Sequence, residues 1–432
     1  MKRSYYFDYA STTPLDERAF LKMKPYFANK FGNPSNLYEA GREAKWAIAN
    51  ALVIIGSVLG CRQDEFVFTG SATEADNLAI AGVARARQNF VSQNLGGQAA
   101  KNSGNKIIVS SFEHKGIMAV CEALAKVGFE IVELGADSRS FVDLKQLEKI
   151  LDDKTILVSV GYADSETGTI QPIEKISGLI KKFRNKNKSA LPYFHTDASQ
   201  AAAYLDLGVD RLGVDLMTLS GHKLYGPKGI GGLYVRRGVN VKPIIYGGGQ
   251  QGTLRSGTEN VPGIVGFAGA LSLVQSSRAK EYARIKKLRD RLERGIFCEI
   301  TKVVLNGNKT ERLPNFLNVS VLDIEGEAIL LHLDERGISV GTGSACNSET
   351  LEPSHVLTAL GNPYEYVHGS IRFTLGKHTK DSDVDYVLKI LPAVVRELRL
   401  ISPLNLNMKS KKTMSEPKAF TGGNTPHFLR KK

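Results

Sequence analysis

Short runs of β-branched and aromatic residues recur along the first half of the chain, each ending abruptly in small or polar residues. They lie at Phe66-Val67-Phe68-Thr69 and at 107–109, 156–160, 192–195 and 216–219. Between them the apolar positions change period. In 144–151 and 173–183 they return every three or four residues, the spacing of a helix with one buried face. Strand and helix alternating in this way predict a parallel sheet with crossover helices. After Gly252 the pattern changes: the spacing predicts a charged helix over 279–296, a strand over 315–321, then mixed elements to Leu400. A second, smaller α+β domain accounts for this. Two stretches, 93–104 and the tail beyond Pro403, offer too little apolar surface to offset the entropy of ordering and are expected to be unstructured. No internal repeat is visible.

Composition narrows the class. At 432 residues, with 42% hydrophobic, 23% charged and 8% aromatic residues, the chain suits a folded body of two or three structural units rather than a fibrous or disordered protein. The longest weakly polar stretch, 261–274, contains Pro262 and Ser272. It is shorter than the roughly 20 residues a membrane span needs. The basic start is not followed by an apolar run, so the cytoplasm is the expected compartment. The four cysteines, Cys61, Cys121, Cys298 and Cys346, form no C-x-x-C pair. Neither a disulfide framework nor a metal site is expected. The net charge of +13 invites a nucleic-acid reading, but 403–432 alone supplies +6 of it. The remaining +7 over 402 residues is modest, and without a recognisable motif direct nucleic-acid binding is disfavoured.

Ligands in open α/β sheets gather beyond the carboxyl ends of the strands, so the residues that follow each run are the candidates. The first run leads into Gly70-Ser71-Ala72-Thr73-Glu74-Ala75, small residues that open a helix and present N–H groups suited to phosphate, though any helix start looks similar. The next reaches Glu113-His114-Lys115, another His195-Thr196-Asp197-Ala198-Ser199-Gln200, and the last Ser220-Gly221-His222-Lys223. Singly, such a histidine is most often structural, such an aspartate a helix cap and such a lysine solvated. Together, a phosphate-binding helix start, an aromatic ring to stack, an acid and a lysine are the parts that hold pyridoxal phosphate.

At this point the chain resembles a known family. Tyr6-Phe7-Asp8-Tyr9-Ala10-Ser11-Thr12-Thr13-Pro14, Gly32-Asn33-Pro34-Ser35, Ser71-Ala72-Thr73-Glu74-Ala75-Asp76-Asn77, Glu113-His114-Lys115, Asp197-Ala198-Ser199-Gln200, Ser220-Gly221-His222-Lys223, Arg255-Ser256-Gly257-Thr258 and Gly343-Ser344-Ala345-Cys346 follow in the order seen in cysteine desulfurases of the NifS/IscS type. The resemblance runs from Tyr6 to Pro403. It implies the aspartate-aminotransferase-like fold, type I of the pyridoxal-phosphate-dependent transferases. A segment 1–14 would join a small domain at 261–402 that carries the cysteine loop. A large cofactor-binding domain would span 15–260, and a basic disordered tail 403–432.

The same resemblance implies that Lys223 bonds covalently to the cofactor, His114 stacks on its ring, Asp197 pairs with the ring nitrogen and Gln200 donates to the ring oxygen. Ala72, Thr73, Ser220 and His222 would hold the phosphate, with Thr258 reaching across a homodimer. Arg372 would clamp the substrate carboxylate, with Asn33 also assigned to substrate. L-Cysteine would become L-alanine, its sulfur carried as a persulfide on Cys346. That cysteine lies in a loop of small and polar residues, 340–350, able to swing a thiolate. The other three cysteines sit among apolar residues and are expected to be buried packing groups. Residues 349–353 match a longer-loop subgroup, whose loop can reach a sulfur acceptor such as an iron–sulfur scaffold or a tRNA-thiolation protein.

Three positions depart from the family. Ser165 stands where an asparagine that touches the cofactor is usual, Tyr38 replaces a frequent histidine, and Gln251 a frequent glutamate. The readings that compete are selenocysteine lyase and a non-catalytic relative kept as a binding partner. Intact Lys223, Asp197, Cys346 and Arg372 argue against the latter.

Overall fold

The structure of the protein, a computed structural model, describes residues 4–94, 104–343 and 353–403. The chain opens with β1 (Tyr5–Tyr6). The five apolar runs become β2 (Phe66–Thr69), β3 (Lys106–Ser110), β5 (Thr155–Ser159), β6 (Tyr193–Asp197) and β7 (Leu216–Ser220), and two strands that the pattern did not mark, β4 (Glu130–Leu134) and β8 (Gly231–Val235), join them. These seven form one sheet in the order β2-β8-β7-β6-β5-β3-β4. Every neighbouring pair from β7 to β4 is parallel, and β8 alone runs against its neighbours. The fold is therefore α/β with a mainly parallel sheet. Helices cover both faces, which is why β2, β3, β5 and β7 are apolar without alternation and buried throughout.

β8 escapes a pattern search because it begins Gly231-Gly232. A Cβ on Gly231 would stand 2.6 Å from the carbonyl carbon of Ser71 and 2.9 Å from the nitrogen of Ala72. Only glycine therefore lets β8 pass beneath the start of the helix Ala72–Asn94.

The second half builds a three-stranded antiparallel sheet from β9 (Val303–Leu305), β10 (Phe316–Val321) and β12 (Ser370–Thr374), with β11 (Ile338–Ser339) pairing in parallel with β1. Phe7 and Ala10 share a hydrophobic cluster with residues of these strands, although they come from the opposite end of the chain. The helix expected over 279–296 is in fact Val261–Glu299, 39 residues long. Its first part shows no helical period because it is buried on almost every side, from Val261 through Leu271, against the larger core. Asn260 caps it by accepting from the Gly263 N–H at 3.0 Å, and Pro262 sits in the first turn, where its missing N–H costs nothing.

Two further sequence expectations are corrected. Cys121 is buried and Cys61 half-buried, but Cys298 is exposed. It lies on the outer side of the long helix beside the exposed Phe297, while Ile296 holds the core. Gln93 and Asn94 close the helix Ala72–Asn94 rather than opening a loop. Residues 95–103 of the expected insert, the tail beyond Pro403 and Cys346 lie outside the described residues.

Candidate active site

The carboxyl ends of β2, β3, β5, β6 and β7 emerge on one edge of the sheet, and the candidates follow them directly. Asp197 is the last residue of β6, and its Oδ1 accepts the Ser199 N–H at 2.8 Å. Ser220 ends β7 and is buried, with His222 and Lys223 in the single turn beyond it. Across the edge, Ala72 and Thr73 open the long helix, whose first turn leaves their N–H groups without intrahelical acceptors.

What draws this set together is the N-terminal segment. Lys223 Nζ donates to the carbonyls of Ala10 and, at 3.0 Å, Ser11. Gln200 Nε2 donates to Ala10 O at 3.1 Å, and His222 Nδ1 meets Thr12 Oγ1 at 3.1 Å. Thr13 Oγ1 donates to His222 O at 2.9 Å and accepts from the Tyr225 N–H at 2.8 Å, which fixes Tyr225 at a φ of 63°. No local pattern assigns residues 10–13 a role. Their interest lies only in long-range contact.

A second wall comes from the other half of the chain. Arg372 of β12 donates from Nη1 to Ser165 O at 2.7 Å, and from Nη2 to Asp8 Oδ1 at 2.8 Å and Ser11 Oγ at 3.0 Å. Its Nε is buried and has no partner among the described residues. Gly341 makes room for this guanidinium: a Cβ there would stand 2.8 Å from Nη2 and 3.1 Å from Nε. Ser165, the departure from the family, thus engages Arg372 through its carbonyl. Its neighbour Asp164 is turned away into the 166–169 turn, accepting the N–H groups of Glu166 at 2.9 Å and Thr167 at 2.7 Å.

Burial sets the protonation of the edge. Desolvation lowers His114, with Lys223 and Lys115 adding to the effect against Asp197. His114 Nδ1 accepts the Gly116 N–H at 3.1 Å, so the neutral ring carries its proton on Nε2. Desolvation, then Lys223 and Lys228, push His222 down to about 4. Two buried glutamates go the other way. Burial pushes Glu113 up to about 8, although the Gly161 N–H donates to it at 2.6 Å, and Glu166 up to about 7, although Ser354 Oγ donates to it at 2.6 Å. Burial also pushes the Cys61 and Cys121 thiols up to about 12, so neither stands as a ready thiolate.

Not every candidate joins. Among the described residues no hydrogen bond links Asn33 to the others; its side chain accepts from the Ser35 N–H at 2.9 Å within its own exposed turn. Thr258 is exposed on a segment that Arg255 ties to Glu74 at 2.9 Å. Sequence reasoning missed Asp76 and Thr218, buried behind Asp197, because an acid inside a helix and a threonine inside a strand carry no signal of their own. Among the described residues, no three His, Cys, Asp or Glu side chains group to hold a metal ion, and no helix is long and apolar enough to cross a membrane.

A parallel sheet whose strand ends converge on a lysine and an aspartate, faced by an arginine from a second sheet, defines a class of group-transfer enzyme. The family described as Aminotransferase class-V matches residues 5–387, and the chain belongs to that family. Its relatives are more specific. A cysteine desulfurase IscS of Dictyoglomus turgidum is 45% identical over 412 residues, covering 95% of this chain and 100% of the relative. One of Methanosarcina thermophila is 43% identical, covering 93% and 94%. A solved NifS-like protein superposes with a TM-score of 0.83 at 34% identity, over 92% of this chain and 100% of its own. Another, described as SspA in complex with cysteine, gives 0.72 at 32%, over 86% and 99%. Within the family the activity is that of a cysteine desulfurase.

Proposed function

We propose that the protein takes the sulfur of L-cysteine onto Cys346 as a persulfide and releases L-alanine, using pyridoxal phosphate seated at the ends of β2, β6 and β7. The observation that carries this reading is Ser11. Its carbonyl holds the Lys223 ammonium and its hydroxyl meets the Arg372 guanidinium, so one residue brings an amine next to a guanidinium with a buried, unclaimed Nε–H. An amino acid needs that pair: the guanidinium for its carboxylate, the lysine for the chemistry at its amino carbon.

The donor set fits the cofactor. Ala72 and Thr73 N–H groups with Ser220 and His222 would hold its phosphate, Asp197 its ring nitrogen, Gln200 its ring oxygen, and His114 would lie on its ring. Lys223 would bond to it, and the segment bearing Ser165 would line its edge. When bound, pyridoxal phosphate supplies the electron sink that weakens the Cβ–S bond of the substrate. The protein does the rest. Arg372 binds the substrate carboxylate, and Ala10 and Ser11 aim the Lys223 amine. His114 keeps a proton on Nε2 for transfer within the site. Cys346, as thiolate, takes the sulfur, while the bonding pair stays on Cβ, which gains a proton and leaves as alanine.

The working form in this reading is a homodimer. Phe27, Phe31, Leu37 and Trp46 leave exposed apolar surface that a second copy would cover, bringing Thr258 to the partner's phosphate. The persulfide would pass to an acceptor protein, an iron–sulfur scaffold or a tRNA-thiolation protein, in the cytoplasm. The test is direct: purified protein given cysteine should release alanine and carry one extra sulfur on the Cys346 peptide. A persulfide on Cys61, Cys121 or Cys298 removes Cys346 from its role, and turnover of selenocysteine alone makes the protein a lyase.

A further inference from the structure

Behind Asp197 lies a row of buried polar groups that the reaction does not use. Asp76, 1% exposed, sits one turn into the helix Ala72–Asn94. The Thr218 hydroxyl of β7 acts on it as a donor that favours the ionised form, and Thr218 Oγ1 lies 3.0 Å from His195 Nε2. His195 Nδ1 in turn lies 2.9 Å from Ser159 Oγ of β5. His195, Thr218 and Ser159 are 0% exposed. Asp76 Oδ1 has no hydrogen-bond partner among the described residues, and His195 Nε2 lies 3.6 Å from it.

An ionised carboxylate in this place would have one oxygen buried without a donor, a costly arrangement. The groups that face it agree. Burial holds His195 down to about 3, so the imidazole is neutral and offers no counter-charge. Burial first, then Asp197, raise Asp76 well above the usual carboxylate range; Thr218 works against them and Glu113 adds a smaller push upward. With the proton on Asp76 the row can run in one direction: Asp76 would donate toward Thr218, Thr218 to His195 Nε2, and His195 Nδ1–H to Ser159 Oγ. This chain crosses from the helix over β7 and β6 to β5. Its middle members stand beside Asp197, since His195 and Asp197 project to the same side of β6 and Thr218 is paired in register with Asp197.

We propose that Asp76 is a positioning residue for Asp197: as a neutral carboxylic acid it locks, through Thr218 and His195, the strand ends that carry Asp197, and it leaves the negative charge of this edge to Asp197 alone. Two ionised carboxylates here would raise one another and weaken the hold on a protonated ring nitrogen. The inference rests on the reading of Asp197 given above.

The experiment uses the full-length protein, stripped of pyridoxal phosphate and titrated with it between pH 6 and 9. D197N reports on the reading itself and should weaken binding severely. D76N keeps a donor to Thr218 and carries no charge, so its affinity should stay within about twofold of the parent at every pH. D76A breaks the chain and should bind about tenfold more weakly, one hydrogen bond's net worth. T218V, which removes only the central hydroxyl, should behave like D76A and stands in for it if D76A does not fold. A pH profile displaced in D76N would show that Asp76 is ionised and overturn the proposal. So would parental affinity in both D76A and T218V. If D197N binds as the parent does, the reading of Asp197 fails and takes the proposal with it; if only the Asp76 and Thr218 variants are silent, the proposal fails alone.

Discussion

The two walls of the site are made differently. One is the edge of a continuous seven-stranded sheet, where Asp197, Ser220 and Lys223 follow strands whose ladders are buried on both faces. The other is stitched from segments far apart in the chain, Asp8–Ser11, Ser165 and Gly341, with the Arg372 side chain as the knot. On the first wall the backbone sets position, so a side chain can be changed without moving its neighbours. On the second the side chain is itself the frame, so its loss is felt both in binding and in shape.

The largest test of this difference is Lys223→Ala. Alanine formation should fall by at least about a thousandfold, the scale of losing both a nucleophile and a proton carrier, while the thermal midpoint moves little. A midpoint that collapses would show that the strand-end wall depends on its side chains after all. Arg372→Gln should be different in kind. KM for cysteine should increase by roughly tenfold to a hundredfold, since charge-assisted bonds to a carboxylate are worth about 1.5–3 kcal/mol. The midpoint should fall as well, because Asp8 and the Ser165 carbonyl lose their donor. Kinetics and melting measured on the same samples separate the two walls. An unchanged KM would remove Arg372 from substrate binding.

The buried glutamates compare the walls by pH. Glu113 belongs to the strand edge, Glu166 to the stitched side, where it accepts from Ser354 and lies 3.0 Å from where a Gly343 Cβ would be. Burial dominates both, so the folded protein keeps a proton that the unfolded chain has lost, and each group takes stability away as pH rises. For Glu113 the loss begins near 4.5 and is complete above about 8, for Glu166 above about 7. Glu113→Gln and Glu166→Gln should therefore gain on the parent as pH increases, by on the order of 1–3 kcal/mol, with the Glu166 variant levelling off first. Denaturant melts from pH 5 to 9 measure it. A gap that shrinks toward alkaline pH would mean that these carboxyls are paired rather than stranded.

The walls also differ in how far they could be read from the sequence. β2, β3, β5, β6 and β7 were legible because burial on both faces makes a strand a short, unbroken apolar run that stops at the ligand edge. The polar residues at those stops could be collected without knowing the strand order. β8 was not legible, because its opening glycines serve packing against the helix start rather than strand propensity. The first half of Val261–Glu299 was hidden by the same burial that makes a strand visible, since a helix enclosed on all sides loses its period. The stitched wall was legible only through family resemblance. Nothing local in Asp8, Ser11 or Ser165 announces a contact with Arg372, and Asp76 gives no sign that it meets Thr218.

The smallest effect is expected from the basic tail, and it bears on both walls by leaving them alone. The long C-terminal helix Asp381–Ile401 buries Val384, Val387, Leu391, Val394, Val395 and Leu398 in the smaller core. Residues 403–432 carry six lysines and one arginine against one glutamate. Charge of one sign without an apolar partner set acts at long range and is screened over about 8 Å at physiological salt. Truncation after Pro403 should therefore leave alanine formation with a small thiol reductant within about twofold of the full chain, and cysteine KM unchanged. Sulfur delivery to an acidic acceptor protein is the step it can alter, by slowing the encounter, and that deficit should fade as salt is raised. A loss of alanine formation that persists at high salt would mean instead that the tail completes one of the walls, and the division of the site into two would have to become three.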